Sequence, residues 1–580
     1  MYLRILLKEV KEYKTASVIT PIFMILEVLM ETMIPFLMAS IIDNGVNAGN
    51  LGHIYKVGGI MIIVALLGLL AGLAGGRFGA KASAGFAKNL REAMFNNIQT
   101  FSFANIDKYS TAGLVTRLTT DVTNIQNSYQ MILRMMMRAP SSMICALIMA
   151  FSINARLSLI YLAAVLILGI ILFFIISHAT RYFRMAFPKY DELNASVQEN
   201  VSAIRVVKAY VREELETSKF HKASENIYNI FVKAEKNIIF NAPLMQFTVY
   251  TCIILISWLG AKMIVGGTLT TGELMSLLAY CMNILMSLMM LSMVFVMISM
   301  SVASAERIAE VLSETSDIHN PENPVYKVRD GSITFSNVDF AYNKSNDEPV
   351  LKNINLKIHS GETIGIIGGT GSAKTSLVNL LSRLYDVTAG EVLVGGLNVK
   401  EYDIESLRNQ VSVVLQNNVL FSGTIYDNLR WGDINASEEE CKRVCHLACA
   451  DEFIEKLPNG YETYIEQGGT NVSGGQKQRL CIARALLKKP KILILDDSTS
   501  AVDTATDAKI RRAFREEIPN TTKLIIAQRI SSVQDADRII VMDEGRVNGF
   551  GTHEELLKSN EIYREVYESQ TNGGGDFDEN

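Results

Sequence analysis

Long apolar stretches alternate with charged segments over the first 302 residues, whereas the hydropathy of the remaining chain changes every few residues. A helix needs about 20 apolar residues to cross the hydrocarbon core of a bilayer, and most of these stretches are longer than that. The third and fourth stretches are shorter, and only Asn154-Ala155-Arg156 separates them, which indicates a tight hairpin. The pattern predicts six membrane-spanning helices, at residues 16–41, 57–79, 139–155, 157–177, 238–264 and 274–302.

Lysine and arginine are concentrated at the start of the chain and in two long segments, 80–138 and 178–237. Because basic residues are retained on the cytosolic side of a membrane, we expect both termini and both segments to be cytosolic. The two segments have a helical composition with almost no Pro or Gly. At about 1.5 Å per residue, a hairpin with arms of about 25–30 helical residues would extend about 40 Å below the membrane.

The polarity of the chain rises after Ser304, and strand-like and helix-like segments alternate beyond about residue 330, as in an α/β domain. We predict a membrane domain of six helices with long cytosolic extensions, followed by an α/β domain that binds nucleotide. The net charge of −5 argues against a nucleic-acid partner, since such a partner requires a basic face. The predicted parts are an amphipathic elbow helix (1–15), the transmembrane domain (16–304), a linker (305–330), the nucleotide-binding domain (331–570) and a flexible acidic tail (571–580).

The stretch IGIIGGTGSAKTS, residues 364–376, reads as an aliphatic strand, a glycine-rich turn and the start of a helix. It matches the phosphate-loop pattern G-x-x-x-x-G-K-[ST] at Gly368, Lys374 and Thr375, but Ala373 occupies the second glycine position. The loop amides would bind phosphate oxygens, Lys374 would neutralise the β and γ phosphates of ATP, and Thr375 would ligate Mg²⁺. An alanine methyl is tolerable if φ stays negative there, so we expect nucleotide binding to survive. The predicted loop contacts are Gly368, Gly369, Thr370, Gly371, Ser372, Ala373, Lys374, Thr375 and Ser376.

The segment KILILDDSTS, residues 491–500, is a buried strand that ends on two adjacent carboxylates. A buried strand has no reason to end on like charges unless a cation or a reacting group lies there. Asp496 is predicted to bind Mg²⁺, directly or through water, at the end of the strand next to the phosphate loop. The role of Asp497 follows from the wider pattern.

Three further segments carry a family resemblance: NVSGGQKQRL (471–480), LQNNVLFSGTIYDNL (415–429) and STSAVD (498–503). Together with the phosphate loop they resemble the ATP-binding cassette proteins, in the order and spacing of that family. Six spans ahead of one cassette resemble a half-transporter of the ABC exporter type, and IRVVKAYVREE (204–214) resembles its second intracellular loop. The resemblance implies these roles: signature Ser473, Gly474, Gly475 and Gln476; Q-loop and Mg²⁺-binding Gln416; D-loop Asp503; adenine-stacking Tyr342.

In such exporters two cassettes dimerise head to tail, and each ATP lies between the phosphate loop of one subunit and the signature of the other. The family usually carries glutamate after the metal-binding aspartate and histidine at the switch position, where this chain has Asp497 and Gln528. Loss of one methylene withdraws the carboxylate by about 1–1.5 Å, and a misplacement of that size costs on the order of 10²-fold in rate. Glutamine can bond a γ-phosphate but cannot carry charge.

These departures resemble the degenerate site of heterodimeric exporters, so we expect a second, non-identical half-transporter as partner. The alternative is a homodimer with a sluggish but sufficient site. The resemblance implies an ATP-driven, multidrug-type exporter in the plasma membrane of a bacterium. The rival functions are an ATP-gated regulatory or channel-like protein and a lipid or peptide exporter with the same ATPase.

Two features of the spans suggest a hydrophobic or amphipathic substrate. Met282, Met286, Met289, Met293, Met297 and Met300 recur at steps of three or four along the sixth span. Methionine suits a surface that meets varied apolar ligands, although ordinary helix packing explains the pattern equally well. Glu27 and Glu31 lie one turn apart in the first span, where carboxylates usually face a cavity or a partner. They could attract cationic amphiphiles or serve a structural role.

Overall fold

The computed structural model describes residues 2–342, 348–498 and 500–572, and the chain forms two compact units. The first unit comprises Met1–Thr100 and Tyr109–Thr315, and the second comprises Phe101–Lys108 and Ser316–Asn580. The segment Phe101–Lys108 therefore belongs with the second unit although it interrupts the first. Of the predicted acidic tail, residues 573–580 lie outside the described residues.

Helices make up the first unit. In chain order the helices up to residue 315 are α1 (Tyr2–Lys8), α2 (Lys14–Ile41), α3 (Leu51–Gln99), α4 (Phe103–Lys108), α5 (Thr111–Thr116), α6 (Val122–Ile153), α7 (Ala155–Ser202), α8 (Ile204–Ala209), α9 (Glu213–Ile238), α10 (Asn241–Val265) and α11 (Thr271–Ser313). Of these, α4 is the part that belongs to the second unit. The last helix, α11, continues into the segment predicted as linker.

The described residues contain six helical segments long and apolar enough to cross a membrane, in agreement with the six predicted spans. The predicted hairpin between the third and fourth spans is confirmed, because α6 ends at Ile153 and α7 begins at Ala155. Asn154 makes the turn: its side chain accepts hydrogen bonds from the backbone N–H groups of Arg156 and Leu157, both at 3.1 Å. An asparagine in this position satisfies the first free donors of the next helix.

The two segments predicted to be long helical hairpins have that form. Helix α3 runs on from its span to Gln99, and α7 runs on to Ser202 without a break. At the turn of each hairpin lies a short helix, α4 in the first and α8 in the second. Each hairpin thus has a short helix at its turn.

Unit 2 is an α/β domain, and its described strands form a six-stranded, a four-stranded and a two-stranded sheet. Its strands are β1 (Ile333–Phe340), β2 (Leu351–Ile358), β3 (Thr363–Gly368), β4 (Ala389–Val394), β5 (Leu397–Asn398), β6 (Val411–Val414), β7 (Gly423–Thr424), β8 (Tyr464–Ile465), β9 (Ile492–Asp496), β10 (Thr522–Ile526), β11 (Arg538–Asp543) and β12 (Arg546–Gly551). Its helices after α4 are α12 (Lys374–Asn379), α13 (Ile404–Gln410), α14 (Ile425–Leu429), α15 (Glu438–Leu447), α16 (Asp451–Ile454), α17 (Gly474–Leu487), α18 (Thr504–Glu517), α19 (His553–Ser559) and α20 (Glu561–Asn572).

The six-stranded sheet positions the candidate site. Its strand order is β12-β11-β3-β10-β9-β6, and the pairs from β11 to β6 are parallel. Strands β9 and β10 are buried along their whole length, which explains their continuous runs of aliphatic residues. In the register of the sheet Ile526 lies opposite both Ile366 and Asp496. The carboxyl ends of β3, β10 and β9 therefore lie side by side at one edge.

A buried polar cluster joins the residues just before α6 to the last part of α11 within the first unit. Asp121, 1% exposed, ends a π-helical turn at Arg117–Asp121. Its carboxylate accepts bonds from Arg307 Nε at 2.7 Å, from Arg307 Nη2 at 2.6 Å and from the Ser304 hydroxyl at 2.8 Å. The bidentate geometry makes this pair a strong one, because both carboxylate oxygens are satisfied.

We predict that Arg307→Leu lowers the unfolding free energy of the first unit by about 2 kcal/mol, because it leaves the Asp121 charge buried without its partner. The expected loss of unfolding free energy is smaller than for a fully buried ion pair, because the Arg307 side chain is 43% exposed. Thermal unfolding of the purified protein, followed by circular dichroism, measures the change. The matched control is Glu306→Gln at the exposed neighbouring position, which should shift the transition little. Equal midpoints for the two variants would contradict the prediction.

Candidate nucleotide site

The phosphate loop connects β3 to α12 at the aligned edge of the sheet. Gly368 has no room for a side chain, since a Cβ there would collide with the carbonyl oxygen of Met542 in β11. Lys374 begins α12, and its ammonium donates to the carbonyls of Gly368 (2.9 Å) and Gly369 (2.8 Å). Burial lowers the pKa of Lys374. The Lys374 ammonium thus lies among carbonyl groups of the loop, and phosphate oxygens could replace these carbonyls as its hydrogen-bond acceptors.

Ala373 corrects one premise of the sequence analysis. Its φ is 71° and its ψ 25°, in the left-handed region, whereas tolerance of the methyl group was expected to rest on a negative φ. A non-glycine residue in this region carries a cost of about 1–2 kcal/mol, because its Cβ crowds the following carbonyl. The loop keeps the shape that glycine normally allows, so the alanine strains the loop without changing its path.

Asp496 and Thr375 present two oxygen atoms together beside the loop. The Thr375 hydroxyl donates to Asp496 Oδ2 at 2.8 Å, and Asp496 is only 3% exposed. Burial raises the pKa of Asp496, and the hydrogen bond from Thr375 opposes that shift. One hydroxyl and one carboxylate fit Mg²⁺, which keeps several waters and phosphate oxygens among its ligands. Gln416 follows the end of β6 and is exposed at the same edge.

Asp497 and Gln528 contact each other. Gln528 Nε2 donates to Asp497 Oδ2 at 2.9 Å. Burial raises the pKa of Asp497, and the hydrogen bonds from Gln528 and Gln416 lower it. Asp497 has φ 48°, a conformation that aspartate adopts more readily than most residues. The carboxylate is therefore half-buried and basic, but one of its oxygens is already bonded to the switch side chain.

Tyr342, predicted to stack on adenine, is 45% exposed and lies beside the phosphate loop. Its hydroxyl lies 2.8 Å from that of Ser376. The edges of Phe340 and Tyr385 support its ring, at centroid distances of 4.8 and 5.1 Å. The Tyr385 hydroxyl in turn donates to Asp107 of α4 at 2.6 Å. One tyrosine therefore contacts both the predicted adenine platform and the short helix from the first hairpin.

The predicted signature caps a helix. The Ser473 hydroxyl accepts the N–H of Gln476 at 3.3 Å, and the Gln476 side chain accepts the N–H of Ser473 at 2.9 Å. This reciprocal pair is a capping box and fixes the start of α17. Gly475 packs against the carbonyl of Ala501, where a Cβ would lie 2.7 Å from the oxygen. Asp503 caps α18 by accepting from the N–H of Thr506 at 2.9 Å, and this bond lowers its pKa.

Comparison with known proteins identifies the family of the chain. Residues 18–308 match the family model of the ABC transporter transmembrane region, and residues 351–500 match the model of the ABC transporter. The chain belongs to the ABC transporter family. It is 37% identical over 560 residues to YfiB of Bacillus subtilis, an uncharacterized ABC transporter ATP-binding protein, and 97% of each chain is covered.

Two more relatives of this ABC transporter are informative. The ATP-dependent lipid A-core flippase of Desulfotalea psychrophila is 33% identical over 488 residues, which cover 83% of this chain and 84% of the flippase. The structure of a bacterial Atm1-family ABC exporter with ATP bound superposes with a TM-score of 0.84 at 25% identity, over 96% of this chain and 99% of that chain. The protein is an exporter half-transporter, a multi-pass membrane protein with an ATP-hydrolysing domain that works as a dimer. The fold and family expected from the sequence are confirmed.

The residues proposed for a substrate cavity lie in the first unit, apart from the nucleotide site. Arg138 of α6 donates to Glu27 Oε1 at 2.7 Å and to Glu31 Oε2 at 2.9 Å, so both carboxylates of α2 are paired. The four methionines of α11 that were proposed for the cavity all have exposed side chains: Met282 (43%), Met286 (57%), Met289 (43%) and Met293 (67%). Met297 is half-buried, and the side chain of Met300 lies outside the described part.

The roles of Arg138 and Tyr385 emerge only from their contacts in the structure. Arg138 was counted among the basic residues of a cytosolic segment, but it ion-pairs with two residues of the first span. The spacing of Glu27 and Glu31, one helical turn, is a signal that a cation on a neighbouring helix could bridge them. No sequence signal points to Tyr385, because its contacts come from three separate segments of the chain.

We predict that Ala373→Gly raises the unfolding free energy of the second unit by about 0.5–1 kcal/mol. The substitution removes the left-handed strain, and the greater entropy of unfolded glycine offsets part of the gain. The control is Ala508→Gly at an exposed position inside α18, which should lower stability by about 1 kcal/mol. Thermal unfolding of both purified variants tests the prediction, and a loss of stability in both would contradict the left-handed conformation of Ala373.

Proposed function

We propose that the chain is the degenerate-site subunit of a heterodimeric exporter of hydrophobic or amphipathic compounds. Its own phosphate loop holds ATP with Mg²⁺ and hydrolyses it slowly. Its signature, Ser473 to Gln476, completes the faster site of a second, non-identical half-transporter. We further propose that both termini are cytosolic and that the complex lies in the plasma membrane of a bacterium.

The contact between Gln528 and Asp497 carries this proposal. A general base must reach the water that it activates, at about 2.6–3.2 Å between heavy atoms. Asp497 is one methylene shorter than the glutamate usual in the family, and Gln528 Nε2 occupies one of its oxygens at 2.9 Å. Its pKa is raised, so the carboxylate does not lack basicity. What limits it is its shorter reach and the bond that already engages one of its two oxygens.

The substitution at the switch position acts in the same direction. A histidine there can carry a positive charge toward the terminal phosphate, whereas the amide of Gln528 is neutral. Both departures thus weaken one chemical step in one site, and neither affects the groups that would hold the nucleotide. Lys374, Thr375 and Asp496 are all present and lie together at the edge of the sheet. This division supports slow hydrolysis combined with retained ATP binding.

The signature supports the second half of the proposal. Ser473 and Gln476 form an intact cap, and Gln478 of the same helix accepts from the N–H of Ala501 at 3.0 Å. That bond ties α17 to the segment before the D-loop Asp503. An exposed helix start of fixed geometry suits a phosphate that another subunit holds.

The experiment is to measure ATP turnover by the purified dimer in which the partner's catalytic glutamate is replaced by glutamine. We expect turnover to be nearly lost while Asp497 and Gln528 are native. In that background Asp497→Glu with Gln528→His should restore turnover on the order of 10²-fold, since the base regains its reach. Adding Lys374→Ala to the repaired chain is the control and should abolish the restored turnover.

Two outcomes would contradict the proposal. Most of the turnover could survive loss of the partner's glutamate, which would show that the site with Asp497 is competent. The chain could also purify only as a homodimer that hydrolyses ATP rapidly, which would leave no role for a dissimilar partner.

The substrate class is proposed from the first unit. The exposed methionines of α11 suit contact with the apolar part of a substrate. Glu27 and Glu31 are paired with Arg138, so they can bind the cationic end of an amphiphile only if that cation competes with Arg138. We expect Glu27→Gln with Glu31→Gln to reduce efflux of a cationic dye on the order of 10-fold, because a hydrogen bond to a charged group is lost. Dye efflux from proteoliposomes, with ATPase activity measured alongside, is the test.

The matched variant is Arg138→Gln, which frees both carboxylates and should raise the affinity for the dye. Thermal unfolding of each variant separates a change in dye binding from a loss of folding. Unchanged efflux in the Glu27→Gln and Glu31→Gln double variant would assign the ion-paired cluster to helix packing alone.

A lipid exporter is the second candidate function. It is favoured by the similarity to the lipid A-core flippase over 83% of this chain. A lipid is itself an amphipathic compound, so the two candidates share a cavity and an ATPase and differ in cargo. Transbilayer movement of a fluorescent lipid in the same proteoliposomes distinguishes them.

A further inference from the structure

One side chain near the end of the described chain holds the switch loop at two points. The Gln570 Oε1 atom accepts the backbone N–H of Ile530 at 2.8 Å. The Nε2 atom of the same side chain donates to the backbone carbonyl of Gln528 at 2.8 Å. A single amide therefore clamps the backbone on both sides of Arg529.

Helix α20, which carries Gln570, is fixed to the core of the second unit. Tyr563 in its first half is fully buried, and its N–H donates to Asn560 Oδ1 at 2.9 Å. Its hydroxyl lies 2.7 Å from Nδ1 of His553, and Tyr567, one turn later, packs against the same core. Gln570 is exposed, but the helix that carries it packs against the core through Tyr563 and Tyr567.

One of the two residues that Gln570 holds, Gln528, belongs to the candidate site. Gln528 follows the end of β10 and its side chain donates to Asp497 at 2.9 Å. The path from the C-terminal helix to the site is thus Gln570, the backbone of Gln528, and the Gln528 amide. The described contacts of Gln570 on this loop are both to backbone, so its effect on the site must pass through the position of Gln528.

A neutral switch residue needs such a restraint more than a charged one does. An imidazolium attracts a phosphate over several ångströms, because the Coulomb energy falls slowly with distance. An amide N–H interacts strongly only within a narrow range of hydrogen-bond length and angle. Where the family's usual histidine is replaced by Gln528, recognition of a terminal phosphate depends on how well the backbone is held.

We propose that Gln570 is a positioning residue for recognition of the γ-phosphate by Gln528. The inference rests on the proposed function, which assigns Gln528 to the switch position. ADP lacks the γ-phosphate and gives Gln528 nothing to bind, so the clamp contributes to the preference for ATP over ADP. Its loss should weaken ATP binding selectively.

The test is photolabelling of the full-length chain in the purified transporter with 8-azido-ATP and with 8-azido-ADP, at 4 °C to suppress hydrolysis. The polypeptide is then resolved on a gel, so that the label on this chain is read separately from any label on a partner. We expect Gln528→Ala to lower ATP affinity about 10-fold and Gln570→Ala about 5-fold, with ADP affinity changed less than about 2-fold. Glu568→Ala, exposed on the same helix, is the matched control and should change neither.

Two further variants separate positioning from general stability. Gln570→Glu keeps an oxygen for the N–H of Ile530 but loses the donor to the Gln528 carbonyl, so it should lose ATP preference while it keeps the thermal midpoint. Gln570→Ala combined with Gln528→Ala should bind ATP no more weakly than Gln528→Ala alone, because coupled residues are not additive.

Each possible result of these measurements either supports or overturns the positioning role of Gln570. An equal loss of ATP and ADP affinity in Gln570→Ala, or full additivity with Gln528→Ala, would overturn the positioning role and leave the proposed function intact. If Gln528→Ala does not lower the affinity for ATP more than the affinity for ADP, both the positioning role and the assignment of Gln528 in the proposed function are wrong.

Discussion

The register of three parallel strands is the constraint on which the nucleotide site depends. Strand β10 lies between β3 and β9, and Ile526 at its end lies opposite Ile366 on one side and Asp496 on the other. The segments that follow these strands are the phosphate loop, the carboxylate pair and the switch loop. Because all three strands run in one direction, their loops must meet at one edge. A shift of a single strand by one residue would separate the loop from its carboxylates and turn every buried aliphatic residue of that strand to the other face.

This constraint explains why two residues far apart in the sequence contact each other. Asp497 and Gln528 follow neighbouring strands, so a shortened acid and a neutral switch residue face each other across one hydrogen bond. The same edge contains strain at Ala373, where the loop retains a left-handed residue without the glycine that would adopt it freely. The backbone path of the phosphate loop is therefore kept although alanine replaces the glycine.

Contacts from outside the sheet then connect the site to the rest of the second unit. Tyr385 contacts the ring of Tyr342 and the carboxylate of Asp107 in α4. Helix α4 belongs to the second unit, although it interrupts the first unit in chain order. Gln570 joins the switch loop to the C-terminal helix. In the first unit, charges inside apolar helices are paired in the same way, Glu27 and Glu31 with Arg138 and Asp121 with Arg307. In each case a polar or charged group finds its partner on a separate segment of the chain.

The sequence by itself determined the six spans, the tight turn at Asn154, the long helical hairpins, the α/β domain and the phosphate loop with Asp496. These features are encoded locally, by the length and polarity of one segment or by a motif of fixed spacing, so no tertiary information is needed to find them. Only the tertiary structure decided the conformation of Ala373, the bond between Gln528 and Asp497, the pairing of both glutamates with Arg138 and the two-point clamp by Gln570. Each of these joins segments that lie far apart in the chain or depends on a backbone angle set by the surrounding fold. Spacing along a chain does not encode such contacts, because they exist only once the packed core has fixed where the segments meet.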